Sequence, residues 1–323
     1  MTVLPAFETL LHADMQHLNR VIREQLYSDV ALVRQVAEHI IHSGGKRIRP
    51  MLLLLAANAL GADVCQRYKM AAALEFIHTA TLLHDDVVDE SGLRRSQQTA
   101  NVVFGNAASV LVGDFMYSRA FQIMVDVGDM RVMRIMSEAT NTIAEGEVLQ
   151  LMNCHDPDVD EASYLQVIRY KTARLFQAAT ESGAALAGAS DETQEALARY
   201  GMHLGTAFQL VDDVLDYSGD EVETGKHLGD DLAEGKPTLP LIRVMEAGAS
   251  DERAMVRETL LNGGRDDFAA VLKAINANDA LGYTRKQAWK EAEIATQAIA
   301  GLKASKHKEA LLELAGFAVT RAG

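Results

Sequence analysis

Residues 70–90 read MAAALEFIHTATLLHDDVVDE, an apolar run that ends in four acidic side chains. Within it Leu74, His78, Thr81 and Asp85 recur at intervals of four, three and four, the spacing of one helical face. On such a helix Asp85 and Asp89 lie one turn apart on the same face, while Asp86 points about 100° away. Like charges at that spacing repel, and a helix C-terminus already disfavours anions. A sequence shaped for stability alone avoids the arrangement. A divalent cation removes the penalty, and hard carboxylate oxygens suit Mg²⁺. Taken alone, the cluster reads equally well as a solvated acidic helix end.

The same pattern returns at FQLVDDVLD, residues 208–216, where Asp212, Asp213 and Asp216 again follow apolar residues. Two clusters of one form are poorly explained as two solvated faces. If their helices oppose one another, the clusters face across one cavity mouth, a geometry suited to metal ions bridging a diphosphate. Cations stand near both. The stretch GGKRIRP, residues 44–50, puts three basic side chains in a Gly-led loop at a helix start, where free backbone N–H groups also attract anions. Arg94 and Arg95 follow the first cluster, and Lys171-Thr172, Lys226 and the GKPT turn at 235–238 supply more. Each alone is an ordinary surface charge. Their placement in a chain of net charge −14 points to phosphate binding.

Outward from these clusters the apolar spacing stays helical. Long segments run over 102–127, 130–153, 160–188 and 192–217, shorter ones fill 238–320, and strand-like alternation is almost absent. Pro5, Pro50, Pro157, Pro237 and Pro240 fall where helices can begin. Gly-rich breaks at 43–45, 91–92 and 225–235 separate the segments. We read one all-α domain over residues 1–323, a large bundle of ten or more helices around a central cavity. The chain is 48% hydrophobic, enough to fill a sizeable core, which excludes disorder as its dominant state. Its 31 Lys and Arg against 45 Asp and Glu disfavour a nucleic-acid or anionic-membrane surface. The most apolar stretch, 51–60, is about half the ~20 residues a bilayer span requires. The N-terminal residues show no signal-peptide pattern. Cys65 and Cys154 form no disulfide framework, so a reducing, cytoplasmic setting is expected.

Together these motifs resemble the trans-type isoprenyl diphosphate synthases, most clearly from Gly44 to Pro240. The run FIHTATLLHDDVVDE at 76–90, with GNAASVLVGDF at 105–115 and GEVLQ at 146–150, is most similar to long-chain bacterial members. The resemblance implies a homodimer that condenses isopentenyl diphosphate onto an allylic diphosphate with three Mg²⁺ ions. It implies Asp85, Asp89 and Asp212 as direct metal ligands, supported by Asp86, Asp213 and Asp216. By position, Lys46, Arg49, His78 and Arg95 match the isopentenyl diphosphate site. Arg94, Lys171, Lys226 and Lys236 match the allylic diphosphate site, with Thr172 and Gln209 near the reacting carbons. His78 departs from the Gln of many short-chain relatives, which makes that phosphate contact pH-sensitive. Residues 102–127 offer a candidate dimer face and read equally well as core, and release of an apolar product is compatible with transient membrane contact.

The implied chemistry is ionisation, condensation and elimination. Unit charges 4 Å apart interact by about 4 kcal/mol at an effective dielectric near 20, so metal ions on the leaving group supply much of the barrier reduction. Product length should depend on what lies below Asp85. Thr81 is one turn down, Ile77 two and Leu74 three, at about 5.4 Å per turn. Ala80 and Thr81 are small where short-chain relatives are bulky, so a growing chain passes, and Met124 and Met136 are candidates for the floor. As flexible core residues these two methionines have an equally good structural reading.

Three competing functions fit less well. A class I terpene cyclase uses a different second metal motif and an aromatic-rich pocket, whereas this chain repeats Asp-Asp-x-x-Asp and has one tryptophan, Trp289. A His-Asp metal phosphohydrolase, suggested by His84-Asp85, needs further grouped histidines that the sequence does not show. A non-catalytic prenyltransferase subunit commonly loses an aspartate motif or the basic loop, and both are retained here.

Overall fold

The computed structural model describes residues 6–42, 44–62, 65–94, 97–218 and 228–320. Helices follow one another as α1 (Ala6–Leu10), α2 (His12–Gln25), α3 (Ala31–His42), α4 (Ile48–Ala59) and α5 (Gln66–Val88). A two-stranded antiparallel ladder, β1 (Leu93–Arg94) with β2 (Gln97–Gln98), comes next, Leu93 opposite Gln98. Then follow α6 (Ala100–Phe104), α7 (Asn106–Val127), α8 (Met130–Asn153) and α9 (Glu161–Ile168), a π-helical turn over Arg169–Ala173, α10 (Arg174–Leu186) and α11 (Asp191–Ser218). The remainder is α12 (Asp230–Ala233), α13 (Leu239–Ala247), α14 (Ser250–Asn262), α15 (Phe268–Ala277), α16 (Ala280–Ala298) and α17 (Lys306–Thr320). The all-α expectation holds, with this short ladder as the strand structure among the described residues. No described helix is long and apolar enough to cross a membrane.

The chain forms two compact units. One comprises residues 1–138, 175–201 and 299–314, the other residues 139–174, 202–298 and 315–323. In the first, α4 is buried at every position from Met51 to Ala57, as a helix apolar all round must be. Helix α5 packs along α7, with Leu74, Phe76, Ile77, Ala80 and Leu83 buried on one and Val112, Met116, Ala120 and Ile123 on the other. In the second unit one apolar cluster joins α9, α11, α13 and α16 through Tyr164, Ile168, Leu210, Val211, Ile242 and Ala288. A second cluster gathers Tyr217, Leu232, Val244, Leu260 and Ile275.

Boundaries read from periodicity hold for 130–153 and 192–217 and shift elsewhere. The segment expected at 102–127 divides at Gly105, whose φ of 87° ends α6 before α7 begins. The segment expected at 160–188 carries the π-helical turn at 169–173. Pro50 lies in the first turn of α4 and Pro240 near the start of α13, whereas Pro5 lies outside the described residues.

Candidate active site

In the first unit the apolar run of α5 delivers Asp85 and Asp89 half-buried to the helix end. Asp86, rotated off their face, is fully buried. Its Oδ1 accepts from Arg94 Nε at 2.8 Å and Nη2 at 2.6 Å, and its backbone carbonyl accepts from Asn101 Nδ2 at 3.0 Å. The β1 strand therefore brings Arg94 back onto the helix that precedes it. Arg95 lies outside the described residues.

The basic loop ends at α4. Arg49 Nη1 donates to His78 Nε2 at 3.1 Å, because a guanidinium can only donate, and this fixes the neutral His78 with its proton on Nδ1. The Arg49 guanidinium also lies 4.7 Å from the Phe176 ring centroid. Lys46 stands exposed beside them, and Gly44, Arg47, Glu75, His78 and Thr79 line a small cavity. Of the length-determining candidates, Leu74, Ile77, Ala80, Met124 and Met136 are in the core of this unit. Thr81 is half-buried, its hydroxyl donating to the His78 carbonyl at 2.9 Å.

In the second unit the π-helical turn carries Lys171 and Thr172. Lys171 Nζ lies 2.6 Å from Glu147 of α8, and Thr172 Oγ1 donates to Gln209 Oε1 at 3.0 Å. Gln209 Nε2 donates to Asp213 Oδ1 at 2.9 Å, and Tyr164 donates its phenolic proton to Asp213 Oδ2 at 2.5 Å. Asp213 is 2% exposed. Burial first, and then the nearby Asp231 and Asp212 charges, push its carboxyl up to about 8 against the pull of Tyr164 and Gln209. Burial and the Asp213 charge raise the Tyr164 phenol well above its ordinary value, so it stays a donor. Asp212 and Asp216 are half-buried, and Asp216 Oδ2 accepts from the Asp231 backbone N–H at 3.4 Å. Lys236 pairs with Glu234, and Lys226 lies outside the described residues.

Among the described residues no three His, Cys, Asp or Glu are drawn together as a ready-made metal cage. Mg²⁺ does not need one: it keeps several waters and takes one or two carboxylates plus substrate phosphates. Asp85 with Asp89, and Asp212, offer that donor set at half-buried positions. The residues fit the ion.

A helical protein with two such carboxylate clusters and cations beside each is equipped to bind diphosphates through divalent metal. Residues 30–277 match the Polyprenyl synthetase family, and the chain belongs to that family. It is 52% identical over 319 residues, 98% of this chain and 99% of the relative, to the octaprenyl diphosphate synthase of Escherichia coli strain K12. It is 46% identical over 309 residues, 95% of each chain, to the geranyl-diphosphate-specific all-trans-nonaprenyl-diphosphate synthase of Rhodobacter capsulatus. The crystal structure of a polyprenyl synthase from Caulobacter crescentus CB15, complexed with calcium and isoprenyl diphosphate, superposes with a TM-score of 0.95 at 46% identity, covering 98% of this chain and 97% of that one. The protein is thus a prenyltransferase of a generally Mg²⁺-dependent family.

Sequence reasoning did not find Tyr164, Glu147 or Asp231. Glu147 sits in the GEVLQ stretch two residues after Glu145, and the sequence alone does not single it out as the partner of Lys171. Tyr164 gave none, since it meets Asp213 across 49 positions of sequence.

Proposed function

We propose that this chain is a long-chain trans-polyprenyl diphosphate synthase. It extends an allylic diphosphate, farnesyl in our reading, to octaprenyl diphosphate for a ubiquinone side chain. The observation that carries this is the presence of two Asp-Asp-x-x-Asp helix ends in a chain that follows an octaprenyl diphosphate synthase at 52% identity over 98% of its length. The small Ala80 and Thr81 beneath Asp85 favour a long product over a geranylgeranyl one.

Asp85, Asp89 and Asp212 would hold the metal, three ions per site, with Asp216 in support. Bound Mg²⁺ would neutralise the diphosphate and make it a better leaving group. Arg94, Lys171, Lys226 and Lys236 hold the allylic diphosphate. Lys46, Arg49, Arg95 and the Nδ1–H of His78 hold isopentenyl diphosphate. The Thr172 and Gln209 dipoles lie beside the carbons at which positive charge develops. No side-chain nucleophile takes part, and the released diphosphate accepts the proton lost on elimination. The growing chain passes Ala80 and Thr81 along the Ile77 and Leu74 side of α5 toward Met124 and Met136. Residues 1–323 act as a single catalytic domain, in a homodimer, in the cytoplasm, with product release by transient membrane contact.

Incubation with farnesyl diphosphate, radiolabelled isopentenyl diphosphate and Mg²⁺, followed by chromatography of the dephosphorylated prenols, tests the reading. An octaprenyl band is expected. A heptaprenyl, nonaprenyl or decaprenyl band overturns the length, and absence of Mg²⁺-dependent condensation overturns the function.

A further inference from the structure

The middle aspartates of the two clusters, Asp86 and Asp213, are 0% and 2% exposed, whereas Asp85, Asp89, Asp212 and Asp216 are all half-buried. Helix geometry separates them: the outer pair shares a face one turn apart, and the residue between points about 100° aside, into packed structure. There each middle carboxylate meets a side chain that the proposed function places on substrate. Asp86 Oδ1 takes two N–H donors from Arg94, and its Oδ2 is sealed from solvent. Both oxygens of Asp213 accept hydrogen bonds, one from Tyr164 and one from Gln209. The bond from Gln209 Nε2 turns the amide nitrogen toward Asp213. That leaves Gln209 Oε1 to take the Thr172 hydroxyl, as observed.

Asp86 and Asp213 already lie outside the direct ligand set that the resemblance implies, and we propose that they act as positioning residues for the side chains that meet the organic substrate. Asp86 sets the Arg94 fork for the allylic diphosphate, and Asp213, anchored by Tyr164, sets the Gln209–Thr172 pair. The two clusters share one division of labour, with outer carboxylates for metal and an inner one for the organic substrate's binding groups. This rests on the proposed function for the roles of Arg94, Thr172 and Gln209. An arginine held in place before substrate arrives surrenders less side-chain freedom on binding, and a fixed amide presents one dipole direction instead of two.

The test compares Asp86→Asn, Asp213→Asn and Tyr164→Phe with Asp85→Asn as a metal-ligand reference. Mn²⁺ is titrated by electron paramagnetic resonance against each enzyme with a non-ionising thio analogue of farnesyl diphosphate, a readout that needs no turnover. Steady-state kinetics follow. Asp85→Asn should weaken Mn²⁺ binding, while the other three keep the wild-type stoichiometry and affinity. Loss of one charge-assisted anchor should raise the KM for farnesyl diphosphate about tenfold in Asp86→Asn with kcat little changed. Tyr164→Phe should lower kcat about tenfold with both KM values and the Mg²⁺ half-saturation unchanged. Circular dichroism establishes that each variant is folded, and if Asp213→Asn is not, Tyr164→Phe decides for that cluster. Mn²⁺ binding weakened in Asp86→Asn or Asp213→Asn as much as in Asp85→Asn overturns the proposal, as does wild-type kinetics in Tyr164→Phe. A wild-type enzyme that joins no isopentenyl diphosphate strikes the proposed function instead, and the Mn²⁺ titrations still decide the ligand question.

Discussion

The ends of α5 and α11 carry the same five-residue pattern and bury its middle carboxylate by opposite means. Asp86 is offset by a cation, Arg94, held at 2.6 Å. Asp213 has only the neutral donors Tyr164 and Gln209, with Asp231 and Asp212 adding further negative charge. Their packing differs as well. The α5 end is closed by a short hairpin and side-chain contacts, whereas Lys171 and Thr172 sit on a π-helical turn pressed backbone-first against α8. An Asp-Asp-x-x-Asp pattern thus fixes where carboxylates stand on a helix and leaves open what balances them.

The largest expected effect separates the two regions by one methyl group. A Cβ on Gly146 would lie 2.6 Å from the Lys171 backbone nitrogen and 2.9 Å from the Tyr170 carbonyl carbon, so neither neighbour can turn away. A Cβ on Gly113 would lie 2.3 Å from His84 Nε2, the end of a side chain that can rotate. Gly146→Ala should therefore cost about 2–3 kcal/mol of stability and most of the turnover, and Gly113→Ala about 1 kcal/mol. Thermal unfolding and prenol yield measure both. Equal losses would show that backbone closeness is not what distinguishes the second region.

Exchanging each middle carboxylate for its neutral amide tests the electrostatic contrast in metal-free protein. Asp86→Asn leaves Arg94, 20% exposed, facing an uncharged partner and should cost about 1–3 kcal/mol. Asp213→Asn forces one donor to turn away but also removes a buried acid that neighbouring carboxylates disfavour, so its cost should stay below about 1 kcal/mol. Urea unfolding at neutral pH gives the order, and the reverse order would break the comparison.

Product length should respond to one region alone. Ala80 on α5 and Ala207 on α11 are both 0% exposed, each upstream of its aspartates. Ala80→Phe should shorten the prenol, while Met124→Ala and Met136→Ala lengthen it. Ala207→Phe should cost about 1–3 kcal/mol through overpacking and leave the length of residual product unaltered. Chromatography of labelled prenols distinguishes these outcomes, and an unchanged distribution in the α5 and methionine variants discards the tunnel along α5.

What the sequence disclosed follows the same division. Periodicity located α8 and α11 because a regular helix repeats its apolar residues with its own turn. It ran through Gly105 and the turn at 169–173, because a single residue of positive φ and one wider turn leave the apolar composition on either side uninterrupted. The outer aspartates were legible from spacing within one helix. The partners of the inner ones were not, since Arg94 reaches Asp86 through a hairpin and Tyr164 reaches Asp213 from another helix.

The smallest effect concerns how the π-helical turn is fastened. Arg169, its first residue, donates to Glu291 Oε1 at 3.1 Å, and His203 Nδ1 lies 2.5 Å from Glu291 Oε2. Burial works to raise the Glu291 carboxyl, yet His203 and Arg169 outweigh it and hold the group below its ordinary value of 4.5. A carboxylate with a depressed folded-state pKa adds stability above its unfolded value and loses it as pH falls through the folded one. The wild-type unfolding temperature should therefore drop as pH falls below about 4.5, and Glu291→Gln should start lower at neutral pH and lose that part of the acid slope. Because Arg169 belongs to the second region only, backbone amides of residues 169–173 should exchange faster in Glu291→Gln while those of 85–94 do not change. Faster exchange at both would mean that Glu291 supports the whole fold rather than the turn that carries Lys171 and Thr172.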